Sequence, residues 1–210
     1  MSRIKQYDRI ELLNRAVELF RRQGFNGTST AELVAELGVN RKSMYAEFGS
    51  KQQLFEAVLD HYNKNHLTRV LAPLEAPDAS ISAIKQAFYG YASAIEGSFR
   101  GLGCLMCNTA SERGALDPSI DRYVGAYLER ISRAFRDALN NAQKGEEIAP
   151  TVDLDEMAGF LTTTLIGVAA SVRAEAPPAQ VWATYGVVTK MVEGLSTTGR
   201  PHAPAGVDSL

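Results

Sequence analysis

Only two of the 210 residues are cysteine, three are histidine and one is tryptophan. Two cysteines exclude the disulfide framework of a small secreted domain and fit a reducing compartment better. No run is long enough to span a membrane. The longest apolar region, Met157 to Val172, has 16 residues and carries three threonines and two glycines, so a buried helix is expected there. The first residues, MSRIKQYDRIELL, turn amphipathic and charged at once, without the apolar centre of a leader, and a cytoplasmic protein is expected. Strand-like alternation is lacking too. So are G-x-S-x-G, a phosphate-cradling glycine loop, H-E-x-x-H and paired acids flanked by histidine, which leaves nothing to argue for an enzyme, a cofactor or a bound metal.

Charge of one sign is scarce at one end. Residues 1–51 hold nine Lys/Arg against six acids, a local charge of +3, whereas the remainder carries −5. A basic end on an acidic body suits a polyanionic partner for that end alone, although a solvated charged surface produces the same asymmetry.

What is present is helical spacing throughout. Ile10, Leu13, Val17 and Phe20 form one stripe, with a stop at Gly24 and a turn at Asn26-Gly27. Ser29-x-x-Glu32 reads as a capping box opening a short helix through Leu33, Val34 and Leu37, which Gly38 ends. Asn40 can cap a helix from Arg41 to about Phe48, and Ser50-x-x-Gln53 launches another through Leu54, Phe55, Val58, Leu59 and Tyr62. Pro73 and Pro77 mark a break. Further stripes follow: Ile81, Ile84, Phe88, Tyr91, Ile95; then Ile120, Tyr123, Tyr127, Ile131, Phe135 after Asp117-Pro118 and up to Gly145. Met157, Phe160, Leu161 and Val168 come after Asp153-x-x-Glu156, and Val181, Tyr185, Val188, Val192 and Leu195 after Pro177-Pro178. The prediction is an all-α protein of about nine helices, with residues 196–210 a flexible tail.

Two short helices separated by Gly38-Val39-Asn40 have the spacing of a helix-turn-helix, whose tight turn makes the N-terminal end of the second helix protrude. That end reads Asn40-Arg41-Lys42-Ser43. Arg41 and Lys42 can reach guanine edges or phosphates, and Ser43 either. The positive helix N-terminus adds to phosphate attraction. Spacing alone is a weak signal, because glycine-turned helical hairpins are common.

The residues themselves say more. From Ile10 to Val58 the chain resembles the TetR family of transcriptional repressors, through Gly24-Phe25, Thr28-Ser29, Gly38-Val39, Tyr45, Phe48 and Ser50-Lys51-x-x-Leu54-Phe55. The resemblance implies a helix-turn-helix DNA-binding domain over residues 1–50 and a helical effector-binding and dimerisation domain over 51–195. It implies a homodimer on a palindromic operator, acting as a repressor. Arg41, Lys42 and Ser43 then read bases, and Thr28, Thr30, Tyr45 and Lys51 hold phosphates. Position 47, often histidine in such proteins, is Glu47 here. A carboxylate repels phosphate, so it either accepts from a cytosine amine or faces away.

The resemblance also implies dimer pairing through the last two long helices, where Ala158, Gly159, Gly167, Ala169 and Ala170 permit close approach and Trp182 and Tyr185 can fill an interface. The middle helices would enclose an effector cavity. Phe88, Tyr91, Phe99, Met106, Tyr123 and Tyr127 are its candidate lining, which suggests an apolar, aromatic or electrophilic small molecule. Plain core packing is the competing explanation for each of these stripes.

Residues 101–111, GLGCLMCNTAS, hold both cysteines, Cys104 and Cys107. At i, i+3 on a helix starting near Gly103 they would share a face, with Cys104 in the first turn, where unpaired N–H groups favour a thiolate. Gly103-Cys104 resembles a branch of the same family. A thiol switch, an inert buried pair and, from a different class, a helical thiol-redox or metal-dependent protein with His61 or His66 as further ligands are all consistent with this pattern.

Overall fold

The computed structural model describes residues 8–97 and 100–196, and among these the regular structure is entirely helical. The expected tail beyond Ser196, and Phe99, lie outside the described residues. Ten α-helical segments run in the order α1 Arg9–Gly27, α2 Thr30–Leu37, α3 Arg41–Phe48, α4 Lys51–His61, α5 Thr68–Leu71, α6 Ile81–Ser93, α7 Leu105–Glu112, α8 Asp121–Lys144, α9 Leu154–Arg173 and α10 Pro178–Glu193. A turn of π-helix, Tyr62–Leu67, joins α4 to α5 as one rod, which reconciles ten segments with the nine helices expected.

The helix starts follow side-chain caps written in the sequence. Ser29 and Glu32 make the reciprocal capping box, while Asn40 and Ser50 accept from the N–H groups of Ser43 and Gln53. Asp153 accepts from two N–H groups at the head of α9. Gly24 takes φ +73°, breaking α1 where expected, and a single further turn to Gly27 follows. A Cβ there would meet only the movable Glu112 carboxylate, so it is the left-handed backbone that reserves the position for glycine.

The first three helices enclose Phe20, Leu33, Leu37, Met44 and Phe48, all buried. Phe20 and Phe25 meet Phe55 of α4 at ring-centroid distances of 4.8 and 4.9 Å, fastening this head to the rod. Each such aromatic contributes about 1.5–3 kcal/mol through burial. Ile10, expected in the core stripe, is instead 58% exposed; Leu12, Leu13 and Ala16 take the inward face. The other three members of the stripe, Leu13, Val17 and Phe20, are buried as expected, so only its first position falls outside the core.

In the body, α8 packs along α9 and α6 along α10, while α7 wedges between α8 and α1. The α6 helix ends at Ser93, and Ile95 is buried from the turn beyond it. Phe160, expected inward on α9, is 46% exposed, and Val187 of α10 is 64% exposed. Gly159, Gly167 and Ala170 lie on the same open side of α9, whereas Ala158 and Ala169 are buried within the chain. Trp182 and Tyr185 form an edge-on cluster with Tyr89. No described helix is long and apolar enough to cross a membrane.

One joint connects head to body. Arg21 of α1, only 3% exposed, donates from Nε and Nη2 to the Gly103 carbonyl at 3.2 and 2.6 Å. Arg173, at the end of α9, donates to the Gly101 carbonyl at 2.6 Å and the Arg22 carbonyl at 2.9 Å. Asn108 of α7 reaches the Leu102 carbonyl at 2.9 Å. The 101–103 loop is thus held from α1, α7 and α9 together.

Candidate nucleic-acid interface and effector cavity

The exposed N-terminal end of α3 presents Asn40, Arg41 and Lys42, with Ser43 half-buried behind them. Asn40 Oδ1 accepts from the Ser43 N–H at 2.8 Å, which fixes the helix start and leaves the two cations on its outer side. Arg41 lies over the Tyr45 ring, 5.5 Å from its centroid, and the Tyr45 hydroxyl is 3.4 Å from Thr30 Oγ1. That hydrogen bond and the Arg41 charge lower the Tyr45 pKa. Arg41, Tyr45 and Thr30 therefore form one continuous polar surface across α2 and α3.

Lys51 stands over Phe25, its Nζ 4.2 Å from the ring centroid. Burial draws its pKa below the ordinary lysine value, against the pull of Glu112 and Glu32. Thr28 is placed differently. It is 1% exposed, and its hydroxyl donates to the Gly24 carbonyl at 2.6 Å, closing the end of α1. Thr30, Arg41, Lys42, Ser43 and Tyr45 thus lie on α2 and α3, Lys51 opens α4, and Thr28 is buried.

Glu47 faces away from that surface. Its carboxylate is 3.3 Å from Arg9 Nε on α1, with 6% of the side chain exposed. Of the two orientations open from the sequence, the structure adopts the one that turns the carboxylate away, toward Arg9.

A cavity of about 400 Å³ opens between the π-turn, α6, α9 and the 101–103 loop. Arg21, Tyr62, His66, Tyr91, Gly103 and Cys104 supply its polar wall, and apolar residues of α6 and α9 the rest. Among the described residues expected to line it, Tyr91 and Cys104 do so and the others do not. Phe88 is 1% exposed and packs on Phe135 at 5.8 Å. Met106, Cys107 and Tyr127 line a separate, smaller hollow beside α8. Tyr123 is outside both, accepting from Arg122 at 2.9 Å. Helical stripes mark which face turns inward, but they cannot separate a residue packed in the core from one bordering a void within it.

Arg21, Tyr62, His66 and Gly103 were missed by the sequence reading. Arg21 and Gly103 carried a signal: a charged residue on the inner face of α1, and a glycine before the first cysteine. Gly103 takes φ +61°, and a Cβ there would meet Arg173 Cβ at 2.8 Å. Tyr62 and His66 are brought together by the π-turn, their rings stacked at 4.6 Å. Burial, then the charges of Arg21 and Arg69, push the His66 pKa down to about 4, so its imidazole is neutral at physiological pH. His61 is directed elsewhere, to Asn14 Oδ1 at 2.7 Å. No cluster of three metal-ligating side chains occurs among the described residues.

The cysteines are free thiols, and α7 starts at Leu105, later than expected. Cys104 is consequently the residue before the helix and not part of its first turn, because its extended backbone follows the left-handed Gly103. Both sulfurs converge on Tyr127, each 3.3 Å from its hydroxyl, and Tyr62 donates to Cys104 at 3.6 Å. The hydrogen bond from Cys107 pulls the Cys104 pKa below that of an ordinary thiol, and the same bond with burial pushes Cys107 upward. Of the two, Cys104 is the one that borders the cavity.

The sequence matches two family profiles, "Bacterial regulatory proteins, tetR family" over residues 12–58 and "Tetracyclin repressor-like, C-terminal domain" over residues 79–184. It is 32% identical over 162 residues to YezE of Bacillus subtilis strain 168, an uncharacterized HTH-type transcriptional regulator, covering 77% of this chain and 84% of that one. It is 30% identical over 173 residues to the HTH-type transcriptional repressor ComR of Escherichia coli K12, covering 82% of each. Among solved structures, a cysteine mutant of the TetR family regulator CifR, complexed with 26-bp operator DNA, superposes with a TM-score of 0.75 at 24% identity, covering 90% of this chain and 98% of the other. The reduced form of E. coli NemR gives a TM-score of 0.75 at 17% identity, covering 90% and 98%. The exposed reading helix, the helical body and these matches agree: the chain belongs to the TetR family of DNA-binding transcriptional regulators.

Proposed function

We propose that the protein is a cytoplasmic repressor that binds a palindromic operator as a homodimer and leaves it when a small molecule enters the cavity beside Tyr91 and Cys104. Residues 1–50 serve as the reader and residues 51–195 as the effector and dimer unit. Arg41, Lys42 and Ser43 read bases, and Thr30, Tyr45 and Lys51 position the phosphates, with Thr28 supporting them from behind. The observation that carries this reading is the joint: the loop that walls the cavity is hydrogen-bonded to α1, the helix on which α2 and α3 are built. A ligand that moves the loop moves the reader. Two readers held at a fixed separation by the open α9 and α10 faces would match two half-sites on one side of a duplex.

The test is binding of the purified protein to DNA upstream of its own coding sequence, with the stoichiometry measured. Two chains per site and a steep fall in affinity with rising salt are expected. One chain per site, or salt-independent binding, would overturn the dimeric reader.

A second route to release is favoured by Cys104, a free thiol that borders the cavity and could be reached by a soft electrophile bound there. With a quinone, the sulfur forms a C–S bond to a ring carbon, the thiol proton ends on one quinone oxygen and the hydrogen of the attacked carbon moves to the other, giving a thioether-substituted hydroquinone with no further oxidant or reductant. Equal quinone-driven DNA release by wild type and Cys104→Ser would remove this route.

A further inference from the structure

We propose, resting on the effector reading above, that the cavity takes an uncharged, flat hydroxy-aromatic molecule, a phenol or naphthol, whose hydroxyl is received by the His66 imidazole. His66 is then the residue that sets specificity, and Gly90 leaves the room in which the rings lie.

Charge is excluded first. The described lining contains no aspartate, glutamate or lysine. Its cation, Arg21, is already committed, with two hydrogen bonds to the Gly103 carbonyl, the Glu18 carboxylate at 3.4 Å and further interactions besides. An anion entering here would give up its water without gaining a partner that is not already engaged, and a cation would meet the guanidinium as a like charge. A neutral ligand avoids both costs.

Most polar groups of the wall are engaged as well. The Tyr62 hydroxyl donates to Cys104 at 3.6 Å, Cys104 donates to Tyr127 at 3.3 Å, and Tyr91 is hydrogen-bonded to Tyr127. Gln86 is exposed to solvent. His66 differs from all of these. It is half-buried, borders the cavity and lies on the Tyr62 ring with the planes 18° apart, and its nitrogens take part in no hydrogen bond among the described residues. Nor are they sealed in packing: the buried polar atoms left without a partner there are Asn63 Oδ1 and Thr189 Oγ1. Since the ring is neutral, one nitrogen carries a proton and the other is a bare acceptor. A hydroxyl both donates and accepts, so it matches whichever nitrogen faces the cavity. A phenolic hydroxyl is uncharged at neutral pH and donates more strongly than an alkyl one, because the aromatic ring withdraws charge from its oxygen.

The shape of the cavity favours rings. Gly90 borders it from within α6, where glycine is a poor helix former, and a Cβ placed there would meet nothing within 4 Å. Bare backbone at that point lets a flat molecule approach the helix closely. Val70, Ala87 and Val172 supply apolar contact, and about 400 Å³ holds two fused rings.

The experiment uses three probes that share one ring system. 2-Naphthol, 2-fluoronaphthalene, which keeps the shape without a donor, and 2-naphthoate, which adds a charge, are titrated into the full chain by fluorescence. They are titrated separately into its complex with DNA from upstream of its own coding sequence. 2-Naphthol is expected to bind about fivefold or more tightly than either of the others. His66→Phe keeps a ring on Tyr62 but removes the nitrogens, and should bring 2-naphthol down to the affinity of 2-fluoronaphthalene. His66→Gln, which keeps a donor and an acceptor, should restore part of the preference, as a merely structural role for the ring would not. Gly90→Leu should weaken both uncharged probes about tenfold or more by occupying their room. Circular dichroism checks each fold, and should His66→Phe fail to fold, the wild-type ratios decide alone. Equal binding of 2-naphthol and 2-fluoronaphthalene, tighter binding of 2-naphthoate, or no binding of 2-naphthol up to its solubility overturns the assignment. Preferential binding of 2-naphthol without release of DNA upholds the ligand class and counts against the effector reading instead, because the binding arm needs no DNA.

Discussion

Glu47 and Arg9 are paired at 3.3 Å between α3 and α1, with the carboxylate almost fully enclosed. The pair ties the reading helix to the first helix from behind and keeps the acid off the outer surface. Arg9 also lies over the Phe48 ring at 5.3 Å, so charge and packing act at one point. Glu47→Ala should lower stability by about 0.5–1 kcal/mol, because the Arg9 side chain it leaves behind is half exposed and water takes up its charge. Urea denaturation measures it. An affinity loss for DNA as large as that of an Arg41 variant, without a stability loss, would return Glu47 to the DNA face.

Arg41→Ala combined with Lys42→Ala should weaken DNA binding and reduce the slope of log affinity against log salt. Each phosphate contact removed lowers that slope by about 1. Fluorescence anisotropy at several salt concentrations reads both quantities. An unchanged slope with lower affinity would mean that the two side chains touch bases alone.

Gly103→Ala should destabilise the protein by about 1–3 kcal/mol, because the left-handed backbone and the 2.8 Å approach to Arg173 Cβ add together. It should also lower DNA affinity, through the loop's hold on α1. Thermal melting together with anisotropy separates the effects, and a neutral substitution would remove the loop from the joint.

His66 should not titrate between pH 5 and 8, since its folded pKa lies at about 4 against 6.5 unfolded. Between those values the unfolded chain binds the proton and the folded chain does not. The contribution to stability is therefore full above pH 6.5, declines as the pH falls toward 4, and changes no further below that. NMR titration of the imidazole reports the pKa directly. A midpoint near 6.5 would mean that the ring is solvated.

Val187→Asp, in the open face of α10, should convert a dimer to monomers in sedimentation velocity and abolish operator binding while leaving helix content unchanged. Val187 is 64% exposed, so the folded monomer has little reason to be disturbed. A variant that stays dimeric would move the subunit contact to another face.

The head was largely legible in the sequence because its information is local. Ser29, Glu32, Asn40 and Ser50 act within one turn of themselves, and each cap formed where its residues stood. The cavity was not legible in that way. Tyr91 was found because an aromatic at helical spacing turns inward, but Phe88 turns inward too and is packed solid. Arg21 was passed over because its partner, the Gly103 carbonyl, is 82 residues away. A backbone acceptor has no letter in the sequence. Tyr62 and His66 depend on a turn of wider pitch that no residue pattern announced.

That wider turn bears on how such a protein can change over generations. Losing one residue from an ordinary helix rotates everything beyond it by about 100°, since each residue advances the helix by that angle, and so ruins the packing on one side. The Tyr62–Leu67 turn already accommodates a surplus residue. A one-residue deletion inside it would restore the ordinary pitch and leave Lys51–His61 and Thr68–Leu71 each against its existing neighbours, altering chiefly which side chains project into the hollow. On the function proposed above, the segment joining the first three helices to the rest is thus a place where descendants could change what enters the hollow without changing the Arg41–Phe48 helix.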